Sequence, residues 1–307
     1  MARIAKQISA GPDSEDLPEY NIAHYLIDSL DGTMSNYPLL LEPEELLTRL
    51  GDDNLLIVDQ SKLETYLNAH VPGAVHLNFK DLQLGHKPTP GDLPSLEQLS
   101  LVFSNLGLTL DKHVVVYDDE GGGWAGRLIW ALDMIGHSRY SYLNGGIHAW
   151  LQTGFDTSCG EEAAIKSDYT VAELDPSFAL TKEQIIQRLG QQDFAIWDAR
   201  SEKEYSGEKV ISSRGGHIPG AVNLEWTLGM DTDRGLRIKD LSKFNELLIS
   251  LGLTEDKEIA THCQTHHRSG FTYLVGKILG RNMKAYAGSW AEWGNDTATP
   301  ITTGIKP

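Results

Sequence analysis

The sequence predicts an α/β protein made of two tandem copies of one domain, each a mainly parallel sheet flanked by helices. Two observations carry this expectation. The chain repeats itself along most of its length, and within each copy short β-rich runs alternate with helical runs. Strand, loop, helix and strand in series place helices on the faces of a largely parallel sheet. At 307 residues the chain has the length of two ordinary domains.

The repeat is read from four pairs of segments. LLIVDQS (55–61) matches FAIWDAR (194–200), each an apolar strand ending in an aspartate, Asp59 or Asp198. HVPGAVHLN (70–78) matches HIPGAVNLE (217–225), LGLTLDK (106–112) matches LGLTEDK (251–257), and LNGGIHAW (143–150) matches YAGSWAEW (286–293). The offsets stay between 139 and 147 residues, so the copies differ by small loop insertions and deletions. The copies are placed at 36–157 and 180–307. An acidic linker without strong periodicity joins them over 158–179, and a polar extension precedes them over 1–35. Met34 is a second candidate start.

Within each copy the elements follow from pattern. HVVVYDD (113–119) and EIATHC (258–263) are rich in β-branched residues and read as buried strands. Phe271, Leu274, Val275, Ile278 and Leu279 then form the stripe of a helix packed on a sheet. Leu128, Ala131, Leu132 and Ile135 repeat it in the first copy, and Gly136 and Gly280 supply the helix stops. Trp150 and Trp293, which end the copies, read as core aromatics.

Composition narrows the partners. An apolar fraction of 40% and a charged fraction of 22% are those of a globular protein. A formal net charge of −17 argues against nucleic acid or an anionic membrane as bulk partner. It leaves room for a small anionic ligand, because a local nest of N–H donors outweighs a distant, screened field. No apolar run has the length of a membrane span, and the N-terminus lacks the apolar core of a secretory signal. Two cysteines make no disulfide framework and point to a reducing compartment. A cytoplasmic monomer is expected.

The chemistry is concentrated in THCQTHHRSG (261–270), between a strand end and a helix start. Ligands bind at that end of parallel sheets. Free N–H groups and the helix dipole there attract anions and stabilise a thiolate. Cys263 is therefore expected to be a nucleophile, with Arg268 as a permanent charge and planar fork for an oxyanion. Gly270 leaves room for close backbone approach. The alternative of a buried structural thiol leaves Gln264, Thr265, His266 and His267 unexplained, since they are poor core material. A metal site built on His262, Cys263, His266 and His267 packs four ligands into six residues, which is not a usual zinc spacing, and none is expected. The histidines are expected to point outward around the rim. Cys159, in the linker, reads as a bystander.

The duplicated domain, the DxR strand end at Asp198 and Arg200, the GHIPGA turn and the six-residue Cys-to-Arg loop resemble the rhodanese family of sulfurtransferases. The resemblance is closest to two-domain bacterial members whose loop reads CQTHHR and whose first half carries DDEGGGWAGR, here 118–127. It implies tandem rhodanese-like domains without a cofactor, transferring a sulfane sulfur from thiosulfate through a persulfide on Cys263 to a thiophilic acceptor such as cyanide. It further implies that Arg268 and the loop amides shape the pocket and that Arg200 binds the anionic donor. Gln264, Thr265, His266 and His267 would contact substrate, Trp226 would wall the pocket, and Asp198 would sit in support. Family enzymes acting on thiosulfate in vertebrates carry CRKGVT here and mercaptopyruvate enzymes CGSGVT. A 3-mercaptopyruvate or other sulfane-donor enzyme is thus the nearest alternative. A Cys-dependent phosphatase of related fold and a non-catalytic sulfur carrier or binding module stand behind it. Phosphatases place five residues between cysteine and arginine, and this loop places four.

The first copy supplies an internal control. At an ungapped offset of 143, Cys263 aligns with Glu120, which cannot form a persulfide. Beside Asp118 and Asp119 it would also repel an anion, so the first copy is expected to be silent and to wall the second. GGG (121–123) reads as a tight turn.

Overall fold

The repeat is visible as two parallel sheets in a computed structural model, which describes residues 37–307. The extension and Met34 lie outside the described residues. The first half contributes β1 (Leu40–Leu41), β2 (Leu55–Asp59), β3 (Val75–His76), β4 (His113–Tyr117) and β5 (Tyr140–Leu143). They are ordered β1-β5-β4-β2-β3 with every pair parallel. The second half contributes β6 (Phe194–Asp198) and β7 (Ala221–Asn223), then a small hairpin of β8 (Met230–Asp231) and β9 (Arg237–Ile238), then β10 (Glu258–His262) and β11 (Asn282–Ala285). Its sheet runs β11-β10-β6-β7, again all parallel.

The central strands explain why the β-branched runs were legible. Val114, Val115, Val116 and Tyr117 are buried, as a strand covered on both faces requires. The strand pairs also fix the true correspondence of the halves. Asp59 pairs with Tyr117 across β2 and β4, and Asp198 pairs with His262 across β6 and β10. The residue that follows the central strand is Asp118 in one half and Cys263 in the other.

Helices Gly123–Met134 and Arg268–Ile278 follow those strands and pack on each other between the two sheets. Gly126 and Gly270 are the crossing point. A Cβ on Gly126 would lie 2.1 Å from the Gly270 carbonyl oxygen, and one on Gly270 would lie 2.3 Å from that of Gly123. Only residues without a side chain allow backbones this close. The backbone approach expected at Gly270 is thus that of the other half's helix. Farther along, buried Asp133 accepts from Tyr273 Oη at 2.7 Å and pairs with Lys277 at 2.6 Å. One apolar core spans both halves, from Leu99 and Phe103 to Phe271 and Leu274.

Two excursions reinforce the crossing reciprocally. In the first half, the segment 82–92 reaches the second: a Cβ on Gly91 would lie 2.3 Å from the Ala287 oxygen and 2.6 Å from that of Thr265. In the second half, β8 and β9 reach the first. Arg237 pairs with Glu42 at 3.0 Å, and the Ile238 N–H donates to Asn144 at 2.8 Å. The linker lies along the first half, with Ser167 N–H on the Ser104 carbonyl and Asp175 N–H on that of Met134. Among the described residues no helix is long and apolar enough to cross a membrane.

Candidate active site

Cys263 sits at the C-terminal end of β10, 1% exposed, and its loop curls back to the helix that begins at Arg268. The curl is built from specific hydrogen bonds. Ser289 Oγ accepts the N–H groups of Cys263 at 3.4 Å and His266 at 3.1 Å, and donates to the Tyr286 carbonyl. Nδ1 of His266 shares a 2.8 Å hydrogen bond with Ser269 Oγ. Burial by itself pushes the Cys263 thiol up. The charge of Arg268, the hydroxyl and N–H of Ser269 and the N–H of Thr265 outweigh it and hold the thiol below its ordinary value. The loop is thus a cup of donors with a polarised sulfur at its centre.

The other expected residues fall into three places. Gln264 and Thr265 line a cavity of about 430 Å³ beside the loop, together with Ile211, Ser212 and, from the first half, Lys87 and Pro90. Gln264 Nε2 donates to Ser212 Oγ at 3.1 Å. His267 and Trp226 form an aromatic wall. His267 stacks on Trp124 at 3.8 Å and meets Trp226 edge-on at 5.5 Å, and Phe79 continues the stack behind Trp124. His267 also pairs with Glu120 at 2.9 Å.

Three expectations are corrected. Neither His262 nor His266 points outward: both are fully buried, His266 lies edge-on to Trp130 at 4.6 Å, and burial pushes its imidazole well below the ordinary range. Arg200 is not open to a donor. It is 1% exposed, forked onto Asp198 with Nε at 2.9 Å and Nη2 at 2.5 Å, bonded to the Gly216 carbonyl and stacked over Trp290. Asp198 is held below the usual carboxylate range because its contacts with Arg200 outweigh its burial. Arg200 and Asp198 are therefore a buried brace at the end of β6. The third correction concerns the first copy, where Asp118, not Glu120, stands at the cysteine's place.

Asp118 is fully buried and accepts three backbone N–H groups, from Glu120 at 3.0 Å, Gly122 at 2.8 Å and Ala125 at 2.9 Å. The first half thus keeps the nest of donors and fills it with its own carboxylate. From that position to the closing tryptophan the first half runs from 118 to 150 and the second from 263 to 293, two residues fewer, which is why an ungapped offset misses the match. The GGG stretch makes the turn, with Gly121 and Gly122 at φ of +86° and +108°. A Cβ on Gly123 would lie 2.7 Å from His267 Nε2.

Several site residues were not read from the sequence. Glu204 grips Arg268 bidentately at 2.7 and 2.9 Å, so the arginine's fork is already oriented by a carboxylate. Burial raises the Glu204 carboxyl, but the Arg268 contact dominates and brings it to about 2. Ser269 stood in the quoted string without a role. Ser289 had a signal in the repeat: it matches Gly146, and both are left-handed, at φ of +53° and +58°. A serine where the first copy keeps glycine is strained, and its hydroxyl's service to the loop accounts for it.

The family profile described as Rhodanese-like domain matches residues 42–153 and 181–296. The chain belongs to this family. Among curated rhodanese-like relatives, the thiosulfate sulfurtransferase of Azotobacter vinelandii is 50% identical over 269 residues, covering 87% of this chain and 98% of the relative. That of Pseudomonas aeruginosa is 48% identical over 268 residues, with the same coverage of each chain. Among solved structures, the Tum1 protein of Saccharomyces cerevisiae superposes with a TM-score of 0.77 at 20% identity, covering 88% of this chain and 100% of that one. At that identity the likeness is one of fold. The two rhodanese-like matches fall on the two sheets, one with Asp118 and one with Cys263 at the end of its central strand.

Proposed function

We propose that this chain is a thiosulfate sulfurtransferase in which Cys263 carries the sulfur. The observation that carries the reading is a buried thiol, held below its ordinary value, in a cup of N–H and O–H donors beside Arg268. The Cys263 thiolate attacks the outer sulfur of thiosulfate. A new S–S bond forms on Cys263, the donor's S–S bond breaks, and its electron pair leaves with sulfite. The persulfide anion remains in the donor cup until a thiophile such as cyanide attacks its outer sulfur. Thiocyanate then departs and the thiolate is restored. No outside oxidant, reductant or cofactor enters this cycle.

Arg268 contributes charge at a position set by Glu204, while Gln264 and Thr265 present the mouth of the cavity to donor and acceptor. His267 and Trp226 form the aromatic wall on the loop's Glu120 side, and His266, Asp198 and Arg200 act from behind as braces. The acceptor in the cell is a small thiophile or a sulfur-accepting protein. The unpaired, exposed Cys159 fits a reducing, cytoplasmic setting, in which the chain acts as a monomer. Four residues between Cys263 and Arg268 make a smaller cup than a phosphatase needs, so aryl phosphates are not substrates. Whole-protein mass after thiosulfate tests the reading. One added sulfur, mapped to Cys263 and removed by cyanide, is expected; sulfur on Cys159, or none, overturns it.

A further inference from the structure

The silent half places a charged side chain behind the cysteine loop. Arg127, in the helix Gly123–Met134, is 1% exposed, and its three hydrogen bonds all go to backbone carbonyls. Nη2 donates to Leu82 at 2.6 Å and Gly91 at 2.7 Å, and Nη1 to His266 at 3.2 Å. Nε is buried without a partner. A guanidinium buried among carbonyls is unfavourable unless an anion offsets it. Burial pushes Arg127 down to about 10, so it remains charged at neutral pH, and the groups that oppose the fall are Cys263 and Asp92.

The neighbours of Cys263 make this charge count. Arg268 is paired with Glu204, Arg200 with Asp198 and His267 with Glu120. Burial pushes His262 and His266 below their ordinary values, which leaves them neutral. Arg127 is the cation of this group that has no carboxylate hydrogen-bonded to it.

The carbonyl it holds is also the loop's strained one. His266 has φ of +55°, a conformation that a non-glycine residue keeps only when its surroundings enforce it. Its N–H is fixed by Ser289 and its ring by Ser269, both in the catalytic half. Its carbonyl is fixed by Arg127 from the other half, which also grips Gly91, whose backbone abuts Thr265. Thr265, which precedes this residue, and Ser269, three positions after it, both turn N–H groups to the sulfur.

We propose that Arg127 of the silent half is a positioning residue for the cysteine loop and the buried counter-charge for the thiolate and persulfide on Cys263. It rests on the reading of Cys263 as the sulfur carrier. The silent half then supplies electrostatics to the other half's reaction as well as a wall.

The test uses the full chain with Arg127→Met and Arg127→Lys. The readouts are the pH dependence of iodoacetamide alkylation, followed on the Cys263 peptide by mass, and turnover with thiosulfate and cyanide. Arg127→Met is expected to raise the alkylation midpoint by about one pH unit and to lower turnover about tenfold or more. Arg127→Lys keeps the charge, so its midpoint should stay within about 0.3 unit. Its turnover should still fall, because one ammonium cannot hold the three carbonyls that the planar fork holds. A less stable Arg127→Met protein with an unshifted midpoint would reduce Arg127 to a structural brace and overturn the proposal. Should Arg127→Met fail to fold, native turnover in Arg127→Lys overturns it. Failure of the carrier reading is separate: native protein would then gain no sulfur on Cys263, whatever the variants do.

Discussion

Asp118 and Cys263 occupy the same place in the two halves, one residue beyond the central strand, and each receives backbone N–H groups from the loop that follows. In the first half the guest of the nest is a carboxylate bonded permanently to the chain. In the second it is the Cys263 sulfur, which the proposed cycle loads and unloads. The surroundings diverge accordingly. Arg268 and Ser269 stand beside the thiol, whereas burial leaves the Asp118 carboxyl raised despite its three N–H donors. The same architecture thus serves as a filled socket or as a working one, depending on whether its anion can be exchanged and has a compensating charge beside it.

The largest expected effect comes from copying Asp118 into the second half. Cys263→Asp should take up no sulfur from thiosulfate and show background turnover, while thermal unfolding stays near native. A collapse of the melting temperature would break the comparison, showing that the second loop cannot seat a carboxylate. Next in size is the crossing on which both nests depend. Gly126→Ala drives a methyl into the Gly270 carbonyl and should lose about 1–3 kcal/mol in chemical denaturation. An unchanged midpoint would mean the helices slide apart freely.

The smallest effect concerns the charge balance that only the second half needs. The Glu204 carboxyl is held at about 2, below the roughly 4.3 of an unfolded glutamate. The folded chain therefore binds fewer protons in that interval. The contribution of Glu204 to stability is present above the unfolded value and is lost as pH falls toward 2. Glu204→Gln should flatten that acid limb of the melting-temperature profile and leave the profile near pH 7 parallel to the native one. An acid limb identical in both proteins would mean that Arg268 gains little from its partner.

Both sheets, both central strands and the paired helices were legible in the sequence because burial on two faces leaves β-branched runs and a helical stripe that periodicity detects. The place of Cys263 at a strand end was legible for a related reason: its loop is polar where a core would be apolar. Arg200 was misplaced because an arginine two residues after a strand end reads the same whether it faces solvent or its own Asp198. His266 was misplaced because imidazole tolerates both rim and core, and Trp130 and Ser269 decide between them from elsewhere in the chain. Glu204, Arg127 and Ser289 act on the loop from 64, 139 and 23 to 26 residues away. No local pattern announces such contacts, although Ser289 facing Gly146 across the repeat shows that departures between copies carry information. The two-residue difference in length between this position and the closing tryptophans defeated the ungapped match for the same reason: strand pairing, not spacing, sets the correspondence.

The reciprocal excursions have a consequence for how the molecule comes apart. Segment 82–92 reaches over the second half, and the β8–β9 hairpin reaches over the first. Neither half can be drawn away while either hook is seated, and the glycine crossing lies between them. Melting one half strips the other of the surface that holds its hook and of part of the shared core, so the two copies should be lost together in a single transition. Cleavage of the linker should leave the fragments associated, because the connection that matters is made twice through space and only once through the chain.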